Sequence, residues 1–345
     1  MAYTTINKSS AHFNTKLYTG NGSTQTISSV GFQPDWTWTK HRDGATAHML
    51  FDAVRGALKR LQSNSSNSES TAANTLTSWN SDGFALGTEN DTNGSGRLFT
   101  SWNWKAGTTS GLSGGTINPS SYSINSTSGF GIYKYTGTGS AGTIPSGLPS
   151  VKCFIIKALD ASSNGWVFYH QDLGTNKYLQ LDEDSTPYTG TSQFNNTAPT
   201  TSTTNSLISV GTAGSSNNNG RDYIMYAFSE LQGYSKFGSY TGNGNANGTF
   251  VYTGFKPAFV MTKKTSGTSS WDIHDTKRDT FNVATKYLLA EDSGAEGSTV
   301  VLDILSNGFK FRTSNGDRNA SGATYIYMAF GQSLVGTNNV PCTAR

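Results

Sequence analysis

The sequence repeats one five-residue string three times, and this repeat limits what the chain can fold into. Tyr-Thr-Gly-x-Gly begins at Tyr18, at Tyr135 and at Tyr240. Self-similarity at a spacing of domain size is typical of a structural unit that has been copied within one chain. Other shared features follow each copy in the same order, which a chance match of five residues would not produce. The sequence therefore predicts three tandem homologous units.

The features that recur after each tyrosine are those of strands and turns. Each copy is followed by a Gly-Phe/Leu-(x)-Pro turn, an apolar strand that ends in lysine, and a second strand that ends in an acidic stretch. The strands that end in lysine are 36–40, 153–157 and 259–263. Each unit closes with an Asn/Gly turn that leads into an aromatic strand, at 93–104, 218–228 and 319–330.

Composition excludes the main alternatives to a β fold. Charged residues are 14% of the chain, aromatic residues are 12%, and there are 39 glycines but only 8 prolines. A disordered chain would be poor in aromatics and rich in charge, and a coiled coil would be rich in Ala, Glu, Lys and Leu. Short runs such as 325–330 alternate at period two, as half-buried strands do. These patterns predict an all-β fold of three tandem β-sandwich units, jelly-roll or concanavalin-like.

The repeat and the low-complexity segments suggest where the units end. We expect sandwich unit 1 at residues 1–107, a linker rich in Gly, Ser and Thr at 108–129, unit 2 at 130–233, unit 3 at 234–335 and a C-terminal tail at 336–345. The polar stretch 189–206 inside unit 2 is predicted to project as a long loop. Aromatic residues in the stretch 231–237 indicate that units 2 and 3 pack on each other.

Charge and cysteine usage argue against several partners. A net charge of +3 gives no field that would favour nucleic acid. The apolar runs are far shorter than the roughly 20 residues of a membrane span, and no secretory signal is recognised at the N-terminus. Cys153 and Cys342 are far apart and are interpreted as free thiols. We therefore expect no nucleic acid, no membrane insertion and no cofactor.

Acidic residues and histidines at strand ends are the first candidate site. His274 and Asp275 follow a tryptophan in unit 3, and Asp172 holds a similar place in unit 2. Catalysis or metal binding would need a second histidine or carboxylate nearby in each unit. We favour a structural role, with the aspartates accepting turn hydrogen bonds or pairing with Arg55 and Arg278.

Asparagines and carboxylates in loops complete the candidates. The run Asn217, Asn218 and Asn219 offers amide groups for binding, although its spacing is that of an ordinary tight turn. The cluster at residues 182–184 is interpreted as a solvated turn, with a calcium loop as the alternative. No pair of carboxylates recurs between units as glycoside cleavage would require. The sequence therefore predicts no catalytic residue and no metal site.

The tryptophans are interpreted as core rather than as sugar-stacking platforms. Trp36 and Trp38, like Trp102 and Trp104, are two residues apart on a strand and so share a face. In a sandwich that face is the inward one, and units with few leucines and isoleucines need aromatic volume to bury. We expect these four side chains to be buried.

The ordered landmarks resemble those of a family of virion proteins from marine bacteriophages. They include Tyr-Thr-Gly-Asn-Gly, Gly-Phe-Gln-Pro-Asp-Trp from Gly31, Phe-Asp-Ala-Val-Arg-Gly from Phe51, Ser-Asp-Gly-Phe from Ser81 and the stretch 319–330. That family is described as tail-fibre-like or concanavalin A-like lectin/glucanase-like. The resemblance spans most of the chain and carries no defined catalytic residues. It implies a β-sandwich protein of a phage particle.

What the resemblance implies about function is structural and adhesive rather than enzymatic. A tail fibre or tail-associated receptor-binding protein would recognise a cell-surface glycan or protein of the host. One alternative is a head protein that decorates the capsid, and another is a depolymerase that cleaves glycans. The implied partners are other virion proteins and copies of the same chain in a homo-oligomer, on a virion assembled in the host cytoplasm. A surface of neutral hydroxyl and amide groups stays hydrated whatever the salt concentration, which suits a particle exposed to seawater.

Overall fold

A computed structural model describes residues 4–333, and strands connected by turns make up most of it. The first region, residues 4–107, begins with a 3-10 turn at Ser9–Ala11. Its strands are β1 (Phe13–Thr19), β2 (Gln25–Ile27), β3 (Trp36–His41), β4 (Met49–Asp52), β5 (Lys59–Arg60), β6 (Ser70–Thr71), β7 (Leu76–Asn80), β8 (Gly83–Leu86) and β9 (Leu98–Trp104), with the short helix α1 (Asn90–Asn93) before β9. Aromatic and β-branched residues dominate the central strands, as pleated and buried surfaces require.

The rest of the described chain continues the same pattern. The strands that follow are β10 (Ser121–Asn125), β11 (Phe130–Thr136), β12 (Gly142–Pro145), β13 (Val151–Ala158), β14 (Val167–His170), β15 (Lys177–Gln180), β16 (Tyr188–Thr189), β17 (Leu207–Val210) and β18 (Asp222–Ser229). This second region, residues 130–233 with β10 before it, also has a 3-10 turn at Gln171–Leu173 and the helix α2 (Gly214–Asn217).

The third region, residues 234–333, contains the last strands and one more short helix. They are β19 (Ser235–Thr241), β20 (Phe250–Tyr252), β21 (Phe255–Lys264), β22 (Trp271–Asp275), β23 (Ala284–Leu289), β24 (Gly297–Leu305), β25 (Gly308–Phe311), α3 (Gly316–Asn319) and β26 (Thr324–Ser333). The prediction of an all-β fold is confirmed.

Three large antiparallel sheets share one strand order at their centres. The orders are β1-β9-β3-β4, β11-β18-β13-β14 and β19-β26-β21-β22. In each sheet, the last strand of the region (β9, β18 or β26) lies next to the strand that begins the order. On its other side lies the strand that contains the repeated lysine (β3, β13 or β21). This is the arrangement that a triplicated unit would give, while the common origin of the three regions stays a prediction.

Each large sheet packs one face on a second layer to form a sandwich. In the first region, β2, β8 and β7 form the second layer, and the apolar side chains between the layers include Phe51, Phe84 and Phe99. In the second region, β12 and β17 form it. In the third region, β24, β25 and β20 continue from β23, and Phe309 and Phe311 pack against residues of β26.

The other faces of the three large sheets meet in one shared core. This central core contains the side chains of Trp36, Trp104, Phe228, Phe259 and Phe330, among others from all three regions. The Trp36 ring stacks on the Tyr226 ring, with centroids 4.4 Å apart. The four tryptophans expected to be buried are at most 1% exposed. Their face is not the inside of their own sandwich, as the sequence suggested, but the contact between regions.

Two segments differ from their sequence interpretation. Part of the stretch 108–129 is a strand, because β10 alternates polar and apolar residues and pairs with β11. The stretch 189–206 does not simply project, since Phe194 in its middle is 1% exposed and packs against Phe154 and Tyr169. Aromatic volume therefore ties this loop to the second sandwich. The predicted tail at 336–345 and Cys342 lie outside the described residues.

Cys153 in β13 is buried and free, as expected. No helix within residues 4–333 has the length and apolar character to cross a bilayer.

Candidate functional site

One register position in the three large sheets holds a polar side chain that points towards a neighbouring region. The position is the last residue of β4, β14 and β22, and in each sheet it pairs with a residue of the strand that precedes it in the chain. The pairs are Trp36↔Asp52, Cys153↔His170 and Phe259↔Asp275.

These three side chains connect the regions in a closed ring. Asp52 accepts a hydrogen bond from the hydroxyl of Tyr226 in the second region at 2.7 Å. The ring nitrogen Nε2 of His170 lies 3.2 Å from the carbonyl oxygen of Tyr327 in the third region. Asp275 accepts a hydrogen bond at 3.0 Å from the indole nitrogen of Trp102 in the first region. Each region thus contacts the next, and the third contacts the first.

Both aspartates of the ring also pair with a buried arginine. Asp52 pairs with Arg55 and Asp275 with Arg278, each three residues on. Their other carboxylate oxygens accept hydrogen bonds from the backbone N–H groups of Arg55 at 2.8 Å and Arg278 at 2.9 Å. The predicted pairing and turn hydrogen bonds are confirmed for Asp52 and Asp275, but not for Asp172. Burial by itself would raise the pKa of the Asp275 carboxyl, but Arg278 and these hydrogen bonds outweigh it and lower that pKa.

His274 does not act together with Asp275. Consecutive residues of a strand point to opposite faces, and the Nδ1 atom of His274 lies 3.2 Å from the carbonyl oxygen of Lys286. Burial, together with the positive charges of Arg318 and Arg278, lowers the pKa of His274 to about 3. The imidazole is therefore neutral at physiological pH, and the structure assigns His274 to packing within the third region.

A second ring is made by three buried lysines, one in each large sheet. The ammonium of Lys40 donates to the carbonyl oxygen of Ser293 at 3.2 Å, and that of Lys157 donates to Ser66 at 2.9 Å. The third, Lys263, donates to the backbone carbonyl oxygen of Asp184 at 2.7 Å. Each bond joins a region to the one before it, with the first joined to the third. The lysines that end the repeated apolar strands are the sequence sign of this ring, although the sequence alone gives them no partner.

A third ring uses ring nitrogens. Trp166 donates to the carbonyl oxygen of Gln62 at 2.8 Å, and Trp271 donates to that of Gln180 at 3.0 Å. His48 holds the matching place in the first region, and its Nε2 lies 2.9 Å from the carbonyl oxygen of Leu289. The neighbouring Trp38 indole donates to Nδ1 of His48, which fixes the imidazole proton on Nε2.

The repeated Tyr-Thr-Gly-x-Gly string holds two turns of the same region together, and we call this contact the lock. The hydroxyls of its tyrosines donate to carbonyl oxygens just before the last long strand of each region. These bonds are Tyr18 to Thr92 at 2.8 Å, Tyr135 to Ser216 at 2.5 Å and Tyr240 to Arg318 at 2.8 Å. The first glycine is required because the backbones approach closely: a Cβ on Gly242 would lie 2.3 Å from the carbonyl oxygen of Ala320.

Asn217 completes this lock and is not a surface ligand. It is fully buried, and its amide donates to the carbonyl oxygens of Ser140 at 2.7 Å and Gly211 at 2.6 Å. Its side-chain oxygen accepts the backbone N–H of Thr138 at 2.8 Å. Asn93 and Asn319 make equivalent bonds in the other regions. Asn218 and Asn219, the other predicted binding asparagines, are exposed.

The carboxylates at residues 182–184 border the third region near Glu291 and Asp292. Asp182 accepts the backbone N–H of Trp166 at 2.7 Å, and Glu291 accepts that of Trp271 at 3.0 Å, so both fix turns. Glu183 accepts the hydroxyl of Tyr188 at 2.6 Å. Within residues 4–333, no three His, Cys, Asp or Glu side chains are grouped as metal ligands would be.

Asp172 is exposed to solvent, unlike the buried Asp275. It belongs to the 3-10 turn that follows His170, and its backbone N–H donates to Nδ1 of His170 at 3.2 Å. It lines a groove of about 430 Å³ between the second and third regions. Phe250 and Tyr252 line the same groove, whereas their sequence pattern indicated only a half-buried strand. Their placement on alternate positions of a short strand is the sign that could have found them.

One protein family matches nearly all of the described residues. A family described as a domain of unknown function (DUF7483) matches residues 8–333. The chain belongs to this family. The DUF7483 match begins before β1 and ends with β26, so it covers all three regions. No match was found among curated proteins or among solved structures.

Proposed function

We propose that this protein is a structural component of a bacteriophage virion, a tail fibre or tail-associated protein that attaches the particle to a glycan or protein on the host surface. The observation that carries the proposal is the set of closed rings between the regions. A protein that holds a particle to a cell must keep its loops in fixed positions under load.

The rings favour this role because they make the three regions one body. Hydrogen bonds from the Trp102 indole to the Asp275 carboxylate and from the Lys40 ammonium to the Ser293 carbonyl oxygen join the first region to the third. The central core adds aromatic contacts from every region. Separating one region would expose this apolar surface and break the hydrogen bonds of the rings, which makes a stepwise opening costly.

The composition of the chain supports the same proposal. Only 14% of its residues are charged, so its polar groups are mostly hydroxyls and amides, whose hydration depends little on ionic strength. The loops between strands supply variable surface on a fixed scaffold, which is the usual arrangement in binding proteins.

Quantitative mass spectrometry of purified particles, combined with cryo-microscopy, tests the proposal. A copy number that is a small multiple of three or six, with density at the tail, is the expected result. Absence of the protein from particles would overturn it. Purified protein should also compete with particles for adsorption to host cells, and release of reducing sugar from host glycan by the protein would point to a depolymerase instead.

A second candidate, a decoration protein on the capsid shell, is favoured by the order of the rings. Three regions that contact each other cyclically present three related faces, as a site on a local three-fold axis of a shell would need. The same copy-number measurement separates the two, because hundreds of copies per particle would indicate the shell.

A further inference from the structure

Two aromatic side chains stand outside every apolar cluster of the fold. In β20, Val251 is 5% exposed, whereas Phe250 and Tyr252 on either side are 44% and 54% exposed. The alternation is that of a strand whose one face is buried. Large exposed aromatics on a strand of a globular domain are a sign of a contact with something outside the chain.

The fold itself does not need these aromatics. The matching strand of the first region, β2, pairs Ile27 with Phe84 in the way that β20 pairs Val251 with Phe309. The positions that flank Ile27 are held by Thr26 and by a serine at position 28, both exposed. Small polar side chains therefore serve the same structural place in the first region.

The two aromatics line the same groove as Asp172. The groove has a volume of about 430 Å³, and its other walls include Glu230, Lys236 and Tyr327. It lies at the contact between the second and third regions, where the rings hold both walls in place. The volume is within the range of pockets that take small ligands, about 300–1,000 Å³.

Several polar groups of the groove are held in position by bonds within the protein. Glu230 pairs with Lys236 at 3.3 Å and accepts the backbone N–H of Phe237 at 3.2 Å. Gln171 donates to the carbonyl oxygen of Phe237 at 2.7 Å. Among residues 4–333, the Asp172 carboxylate has no hydrogen-bond donor and no ion-pair partner. It is left as an acceptor for a ligand.

This combination fits a sugar ring. The weakly polar C–H face of a pyranose packs against the negative face of an aromatic ring, and a carboxylate accepts hydrogen bonds from adjacent hydroxyl groups. Because Glu230 is already neutralised by Lys236, Asp172 leaves the groove with a net negative charge, which disfavours sugars that carry a carboxylate. We infer that the groove between β20 and Asp172 binds a neutral pyranose unit of a surface glycan.

A protein partner is the weaker fit to the same groove. Stable protein interfaces bury about 800 Å² on each partner around a central apolar anchor. Here the exposed aromatics line a small concavity together with a carboxylate that lacks a partner, which is the composition of a ligand site. The inference deepens the proposed attachment function and rests on it for its biological meaning.

The test uses the purified full chain on an array of immobilised neutral, sialylated and uronic-acid oligosaccharides. The variant Phe250→Thr/Tyr252→Ser introduces the side chains that the first region has at these places, so it should fold like the parent. Phe281→Ser is the matched control, because Phe281 is 77% exposed and lies outside the groove. Asp172→Asn tests the carboxylate while keeping its shape.

The parent and Phe281→Ser should bind neutral oligosaccharides equally. The double variant should bind at least tenfold more weakly, and Asp172→Asn about threefold or more, with unchanged urea midpoints. Equal binding by the double variant, binding to acidic sugars only, or no binding by the parent would each overturn the inference. A blank array with the protein still present on particles would refute the groove alone, whereas absence from particles would refute the attachment function alone. If the double variant instead lost a particle protein from its complexes, the groove would be a protein-docking face and the inference would fail.

Discussion

The carboxylate of Asp275 accepts a hydrogen bond at 3.0 Å from the indole nitrogen of Trp102, 173 positions away in the sequence. This bond joins the last large sheet to the first and closes a ring that Asp52 and His170 continue. An aspartate beside a histidine invites a catalytic interpretation. Here the aspartate is fully committed to an arginine, a tryptophan and backbone N–H groups.

Replacing this carboxylate should destabilise the whole protein. Asp275→Asn removes the closer of the two carboxylates that pair with the buried guanidinium of Arg278 and leaves only Glu296, at 3.3 Å. Because breaking a buried ion pair is costly, we expect a loss of up to about 3–5 kcal/mol in the free energy of unfolding by urea. The control is Asp303→Asn, which breaks the partly exposed pair with Arg312 and should cost less than about 1 kcal/mol. Equal losses in the two variants would show that the ring contributes nothing special.

The asparagine run separates a structural residue from its exposed neighbour. Asn217→Ala removes the donors to the carbonyl oxygens of the exposed Ser140 and the buried Gly211, and we expect a cost of about 1–3 kcal/mol, mainly from the Gly211 carbonyl that is left buried and unsatisfied. Asn218→Ala, one residue on and exposed, should change stability by less than about 0.5 kcal/mol. Thermal unfolding of both variants checks this. A similar effect of the two substitutions would contradict the lock.

The first glycine of the repeated string should not tolerate a methyl group. In Gly242→Ala the new Cβ would lie 2.3 Å from the carbonyl oxygen of Ala320, which forces the backbone to move and should cost about 1–3 kcal/mol or more. Gly316→Ala is the control, because a Cβ there meets nothing within 4 Å. That substitution should be neutral or stabilise by about 0.4–1 kcal/mol. Calorimetry that ranks the two in the reverse order would exclude the close approach.

The buried lysines predict an unusual response to alkaline pH. Burial lowers the pKa of Lys40, Lys157 and Lys263 to about 8 from the ordinary 10.5, although nearby carboxylates partly oppose the change. Between these values the unfolded chain binds more protons than the folded one, so stability should rise with pH from about 8, by roughly 1 kcal/mol per pH unit for each lysine at most. Above pH 10 the buried tyrosines oppose the rise, because burial raises the pKa of groups such as Tyr135.

Urea unfolding at pH 7.5 and at about pH 9.5 measures this rise. Lys157→Met removes one of the three titrating groups and should reduce the rise by about a third, even though it lowers the absolute stability. A fall in stability over the same interval would show that the ammonium groups gain more from their carbonyl partners than burial costs them.

The sequence predicted the local structure well because local structure follows periodicity. Alternation of aromatic and polar residues located the strands, and the Asp–Arg spacing of three correctly suggested the buried pairs. The same periodicity showed that Trp36 and Trp38 share a face. It could not show what covers that face, because strand patterns carry no information on whether the covering layer belongs to the same region or to another.

Other parts of the site were missed for similar reasons. Asn217 cannot be distinguished from Asn218 by type or spacing, and only the close approach of two turns buries one of them. A single aromatic, Phe194, anchors a polar stretch that composition alone presents as a free loop. The groove combines Asp172 with Phe250 and Tyr252, which lie far apart along the chain and meet only because the regions pack in a ring.

The lysine ring can close only late in synthesis of the chain. Lys40 finds its partner Ser293 only after 253 further residues have been made, which at roughly 5–20 residues per second takes about ten to fifty seconds. Until then, the face of the first sheet that carries the tryptophans lacks part of the layer that covers it in the complete fold. A ribosome-bound chaperone, or rapid capture by the second sheet, would have to shield them until the final strand is released.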